Sequence, residues 1–115
     1  MAETKKPDDP PPPKPFQRFT ERHPRVAEAY RRLGEAVRAE GPLSEREVHL
    51  VKLAISLAAR LEGAAHAHAR KAQAAGVDAE SLRQVALLTC PTLGFPPMMA
   101  ALGWVEDVIE KERAV

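Results

Sequence analysis

The sequence predicts an all-α protein of about five helices that associates into an oligomer. Two observations predict the helices: apolar residues recur every three or four positions in several segments, and residues that start or stop helices lie at the segment boundaries. No segment alternates apolar and polar residues at period two, as a half-exposed strand does. A chain of 115 residues is long enough for one domain. Because a domain this small hides only about two-thirds of its unfolded surface, self-association is expected.

The N-terminal part predicts a tail followed by one amphipathic helix. Residues 1–15 hold more than half of the eleven prolines together with Lys and Asp, a composition typical of a disordered tail, although a docking arm is the alternative. We expect the helical domain to occupy residues 16–115, with order beginning near Phe16 and Phe19. Residues 24–40 then place four apolar side chains on one helix face, namely Val26, Tyr30, Leu33 and Val37.

The central helices are delimited by caps and glycines. Gly41-Pro42 ends the previous helix, and Ser44 with Glu47 forms a predicted capping box at the start of the next. The body of that helix, residues 48–59, is apolar on every side, which indicates a central helix or one shared with another subunit. Gly63 interrupts the pattern before an alanine-rich helix over residues 64–75, for which Gly76 is the expected C-terminal cap.

Two further helices are predicted in the C-terminal part. Asp78 is the expected cap of a helix that ends near Cys90-Pro91, because a proline disfavours a helical residue before it. Residues 92–97 are predicted to form a loop, and Pro96-Pro97 is expected to open the last helix. The apolar stripe of that helix comprises Met98, Leu102, Val105 and Ile109.

Composition argues against several classes of partner. The net charge is +1 with no basic stripe, so nucleic acid is not expected to bind. The longest apolar stretch, residues 53–59, is far shorter than the ~20 residues that span a bilayer, and no apolar segment follows the charged N-terminus as in a secretory signal. We therefore expect a cytoplasmic protein that contacts neither membrane nor nucleic acid, with its single cysteine, Cys90, reduced.

Three histidines are the distinctive polar residues of the central region. His66 and His68 are two positions apart and lie about 200° apart around a helix, so they are not expected to bind one metal ion together with His49. His66 alone is more simply a surface or hydrogen-bonded side chain, and Glu47 is better explained by the capping box. His68 follows a helix break beside an alanine-rich face, where a cavity could form and a histidine could transfer a proton near neutral pH.

The segment from Leu43 to Ile109 resembles the carboxymuconolactone decarboxylase family, which includes the AhpD-like alkylhydroperoxidases. The resemblance rests on LSEREV at 43–48, HARKA at 68–72, AAGV at 74–77 and GFPP at 94–97. It implies an all-helical fold and assembly into trimers, often paired as hexamers.

The peroxidase branch of this family uses two cysteines, four and seven positions before the family histidine. Ala64 and Leu61 occupy those places here, and His49 stands where that branch has a glutamate of its proton relay. Only His68 remains of the relay. Since peroxide reduction by this route needs one thiolate to attack and a second thiol to resolve the product, two-thiol peroxidase activity is predicted to be absent.

The decarboxylase branch also lacks the cysteine pair and keeps a histidine followed by basic residues. Loss of carbon dioxide needs a cation to hold the carboxylate and an acid to protonate the remaining carbon. The resemblance gives these roles to Arg70 or Lys71 and to His68. Gly63, Ala64 and Ala65 replace the polar residues expected before the histidine.

Three functions follow from these residues. The first is a thiol-independent enzyme that acts on a small organic acid through His68, with Glu62, His49 or His66 in support, and without a cofactor. The second is a non-catalytic oligomeric binding or scaffold protein, which the alanine-filled positions favour. The third is a peroxiredoxin-type activity, which family resemblance alone suggests.

The missing thiol pair gives a first prediction. The purified protein is expected to show no peroxide-dependent oxidation of a dithiol donor, because Cys90 has no partner thiol in the chain. Hydroperoxide consumption, followed with and without alkylation of Cys90, measures this directly. Consumption that alkylation abolishes would contradict the prediction.

Overall fold

The structure, a computed structural model, describes residues 12–113. All regular elements in this range are helices: α1 (Lys14–Arg22), α2 (Pro24–Ala39), α3 (Glu45–Ala58), α4 (Glu62–Ala74), α5 (Ala79–Leu87), α6 (Cys90–Leu93) and α7 (Phe95–Arg113). The predicted all-α class is therefore confirmed. The chain forms two compact units with their boundary after Pro42, so that α1 and α2 belong to one and α3–α7 to the other.

The first unit contains one helix more than the sequence indicated. Helix α1 begins at Lys14, so Lys14 and Pro15 belong to a helix and not to the predicted tail. Most of that tail, residues 1–11, lies outside the described residues. Pro15 fits the first turn of α1, where the missing amide hydrogen costs no helical hydrogen bond. Phe19 packs near His23, with ring centroids 5.7 Å apart, and Pro24 then opens α2.

Helix α3 begins with the predicted capping box. The Glu47 amide donates to Ser44 Oγ at 3.1 Å, and the Ser44 amide donates to Glu47 Oε1 at 2.8 Å. These reciprocal bonds satisfy two backbone donors that a helix start otherwise leaves unpaired. The helix ends at Ala58, and the turn to α4 passes through Arg60, which has a positive φ of +61°. The break between α3 and α4 thus lies slightly earlier than the predicted interruption at Gly63, because α4 already begins at Glu62.

The core of the second unit depends on close packing of α3 against α4. The buried residues of α4 are the alanines Ala65, Ala69 and Ala72. Leu53 and Leu57 of α3 are buried in the same cluster. Because an alanine extends little beyond the backbone, a face of alanines lets neighbouring helices approach closely. The remaining core residues come from α5, α7 and the turn before α5.

Helix α4 ends as predicted at Gly76. Gly76 has a φ of +95°, a conformation that glycine adopts without steric cost. Its amide donates to Gln73 O at 2.9 Å, and the Val77 amide donates to Ala72 O at 2.9 Å. This pair of bonds is a Schellman motif, which satisfies carbonyls at the helix end and turns the chain toward α5.

Helix α5 is held at its start and along its length by polar contacts to its neighbours. The Ser81 amide donates to Asp78 Oδ2 at 3.0 Å, which confirms the predicted cap. Arg46 of α3 donates to Ser81 Oγ at 2.8 Å and lies 3.4 Å from Asp78 Oδ1. Arg83 forms a bidentate pair with Glu106 of α7, at 2.7 and 3.2 Å. These contacts fix α5 relative to α3 and α7.

The sequence prediction for residues 88–97 is wrong in two respects. Helix α5 ends at Leu87, and Cys90 opens the short helix α6 with Pro91 in its first turn. The predicted loop is therefore mostly helical, and α7 begins at Phe95, before Pro96-Pro97. The physical reason is that a proline tolerates the first turn of a helix as readily as it ends the preceding one. Gly94, with φ +107°, makes the short link between α6 and α7.

None of the helices described combines the length and the apolar character that crossing a lipid bilayer requires.

A substitution in the alanine face tests the close packing of α3 and α4. Ala69→Leu is expected to lower the free energy of unfolding by about 1–3 kcal/mol, since added side-chain atoms in a filled core force neighbours out of place. Urea denaturation followed by circular dichroism measures the change. Ala58→Leu, the same substitution at an exposed position at the end of α3, is the matched control and should change stability by less than about 0.5 kcal/mol. Equal effects of the two substitutions would contradict the packing described.

The α5 cap makes stability depend on pH. Hydrogen bonds from the Ser81 hydroxyl and amide, with the nearby Arg46 charge, hold the pKa of Asp78 below its usual 3.8. A carboxyl with a lowered pKa in the folded state stabilises the protein above its unfolded-state pKa, and that stabilisation is lost as the pH falls through the folded-state value. The stability difference between wild type and Asp78→Asn is thus expected to be largest above pH about 5 and to shrink toward pH 2. Denaturation curves across this range measure it, and a difference independent of pH would contradict the assignment.

Candidate functional site

Helix α3 carries a polar stripe beside its core-facing side. Glu45, His49, Lys52 and Ser56 follow one another at steps of four, three and four, which places them along one side of the helix. His49 is 5% exposed and Ser56 4% exposed, and Lys52 is half-buried. Polar side chains are uncommon at such depth in a small helical core unless they bond to a partner or take part in function.

His49 is the buried imidazole of this stripe. Its Nε2 lies 3.8 Å from Glu45 Oε1, one helical turn earlier, and Glu45 is more than half exposed. This distance is too long for a direct hydrogen bond. Ser56 is held locally, since its hydroxyl donates to Lys52 O at 2.9 Å.

Helix α4 separates the candidate residues onto two edges of its alanine face. His68 and Lys71, three positions apart, lie on one edge, and His66 and Arg70, four positions apart, lie on the other. All four side chains are half-buried. The structure therefore groups His68 with Lys71 and not with His66, as the 200° separation of the two histidines requires.

His66 forms a pair with a residue that sequence reasoning missed. Its Nε2 lies 3.1 Å from Asp107 Oδ2 of α7. A carboxylate at hydrogen-bonding distance fixes the orientation of the ring. No pattern in the sequence links two residues 41 positions apart, because Asp107 looks like any polar residue on the outer side of the last helix.

Glu62 is placed differently from the histidines. It is exposed in the first turn of α4, where a negative charge is favourable near the positive end of the helix dipole. This location explains the residue without a catalytic role.

The positions that hold the thiol pair in the peroxidase branch are filled by hydrocarbon. Leu61 is 54% exposed just before α4, and Ala64 is half-buried in its first turn. The single thiol, Cys90, is half-buried at the start of α6. Within residues 12–113, no three side chains of histidine, cysteine, aspartate or glutamate come together as a metal-binding group.

The chemistry available on α3 and α4 is proton transfer next to fixed positive charge. An imidazole accepts or donates a proton near neutral pH. A lysine one turn along the same helix edge is a natural partner for an anion.

The sequence model of the carboxymuconolactone decarboxylase family matches residues 24–107.

The chain belongs to the carboxymuconolactone decarboxylase family. The match covers more than half of the chain and extends from the start of α2 into α7. It therefore confirms the family resemblance, which was placed at residues 43–109, as far as residue 107, and it adds α2, for which sequence reasoning gave no family signal. Neither the search of curated proteins nor that of solved structures found a match.

Proposed function

We propose that this member of the carboxymuconolactone decarboxylase family is a thiol-independent enzyme that acts on a small organic acid, with His68 as its proton donor or acceptor. The observation that carries the proposal is a buried imidazole, His49, on α3, packed against the helix that carries half-buried His68. A buried imidazole beside a largely apolar core is expensive to desolvate, and function is a reason to retain it.

The arrangement on α4 favours Lys71 over Arg70 as the group that holds the substrate carboxylate. Lys71 lies on the same helix edge as His68, and Arg70 lies on the edge of His66. A substrate whose carboxylate is bound by Lys71 thus has its reacting carbon near the His68 edge. In a decarboxylation, the bond to the carboxyl carbon breaks, carbon dioxide leaves, and the electron pair on the remaining carbon takes a proton from the protonated imidazole.

His49 is proposed to support this chemistry from α3, and His66 to play a lesser part. His49 is buried, whereas His66 lies on the opposite edge of α4 from His68 and contacts Asp107. Glu62 is proposed as a helix-start residue and not as a proton carrier, since it is exposed in the first turn.

A second candidate is a non-catalytic oligomeric binding or scaffold protein. The hydrocarbon at positions 61 and 64 favours it, because those positions carry the reactive groups in the peroxidase branch. We propose for either function that the chain assembles with itself, as a trimer or hexamer, in the cytoplasm. Large apolar side chains exposed on α3, Val51 and Ile55, support the self-assembly.

Turnover of a panel of lactone acids and keto acids tests the enzyme proposal. His68→Ala is expected to lower kcat by roughly 100-fold or more, since general acid or base catalysis contributes about 10²–10⁴. Lys71→Ala is expected to raise KM more than its matched control Arg70→Ala, because only Lys71 shares the edge of His68. His66→Ala should retain most of the activity.

Two results would oppose the enzyme. Turnover of no acid in the panel, with saturable binding of one of them, would favour the binding protein. Equal rates for wild type and His68→Ala would remove His68 from the mechanism.

A further inference from the structure

We propose that the apolar stripe of α2 is a self-complementary docking surface on which α2 of a second copy of this chain packs in the antiparallel direction. The inference deepens the proposed self-assembly and rests on it. The stripe consists of Val26, Tyr30, Leu33 and Val37, each of them 51–63% exposed in the single chain. Four large apolar side chains on one helix face form a contiguous patch of the kind that marks an interaction site.

The spacing of the stripe is that of a helix-pairing seam. The four residues of the stripe follow one another at intervals of four, three and four positions. The two core positions of a coiled-coil heptad alternate at the same intervals, which keeps the apolar side chains facing a partner helix. The positions that flank such a seam are all small here, namely Ala27, Ala29, Gly34 and Ala36. In coiled coils, the flanking positions usually carry long charged side chains that select partners. Because the flanking residues here are small, a second helix can approach closely.

Four charged residues of α2, namely Glu28, Arg31, Arg32 and Glu35, lie away from the seam and pair with one another within the helix. Arg31 pairs with Glu28 at 2.7 Å and with Glu35, and Arg32 lies 3.2 Å from Glu28. These ion pairs lie on the side of α2 opposite the apolar stripe.

The order of the side chains favours an identical helix in the antiparallel direction. Read from either end, the stripe has a valine at each end and a larger residue at each inner position. A two-fold axis between Tyr30 and Leu33 places Val26 opposite the partner's Val37 and Tyr30 opposite the partner's Leu33. An isologous contact requires this self-complementarity.

Charge points to the same direction. The first half of α2, residues 24–32, carries three arginines and one glutamate, and residues 33–40 carry two glutamates and one arginine. Antiparallel packing places the positive half of one helix beside the negative half of the other, and the two helix dipoles then run in opposite directions, which is favourable. In a parallel pair, halves of the same charge would lie side by side.

The size of the stripe sets the strength expected of the contact. The exposed fractions of these four side chains correspond to roughly 400 Å² per chain and about 800 Å² for the pair, and the flanking alanines add to this. Stable interfaces bury about 1,200–2,000 Å². The α2 pair alone is therefore expected to dissociate on dilution.

Sedimentation equilibrium of the full chain and of Leu33→Glu tests the surface. Because a two-fold contact doubles the mass, Leu33→Glu is expected to halve the mass that wild type shows at high concentration. Ala39→Glu adds the same charge to an exposed position outside the seam and should leave the mass unchanged. Circular dichroism checks that both variants fold. A wild-type assembly that Leu33→Glu leaves intact would overturn the α2 contact alone, whereas a monomeric wild type would overturn self-assembly as a whole.

Disulfide formation tests the direction, in a Cys90→Ser background. Val26 and Val37 are separated by about 16 Å along the helix, so an antiparallel pair joins Val26→Cys of one copy to Val37→Cys of the other and joins neither to itself. The two variants mixed are expected to form a cross-linked dimer, and each alone is expected to form none. Cross-linking of Val26→Cys alone would overturn the antiparallel arrangement, as would the absence of any cross-link in the mixture.

Discussion

The close approach of α3 and α4 through an alanine face is the constraint on which the rest of the second unit depends. Ala65, Ala69 and Ala72 of α4 are fully buried, so a larger side chain at any of them would displace its neighbours. The capping box at Ser44 and the Schellman turn at Gly76 fix where α3 starts and where α4 stops.

The same alanine face organises the candidate site. Because the core side of α4 is narrow, the residues next to it, His68 on one edge and His66 on the other, are only partly covered. Each edge thus presents a histidine and a basic residue from a rigid helix. Functional groups on a packed helix hold their geometry better than groups on a loop.

The fold was largely predictable because its signals are local. The Ser44 box, the Asp78 cap and the Gly76 stop each depend on a few neighbouring residues, and each appears in the structure as predicted. The link around Pro91 was not predicted correctly, since a proline there fits both the end of one helix and the start of the next. For the site, helix periodicity separates His66 from His68, but the contact of His66 with Asp107 depends on the packing of α7, which no local pattern encodes.

The shared contact of Arg46 with Ser81 and Asp78 has a consequence for local opening. A helix start normally frays on its own, because its cap serves only its own backbone. Here the side chains at the start of α5 also contact an arginine of α3. Because opening of the α5 start must also break this contact, amide hydrogens in its first turn are protected from exchange by a neighbouring helix as well as by their own cap.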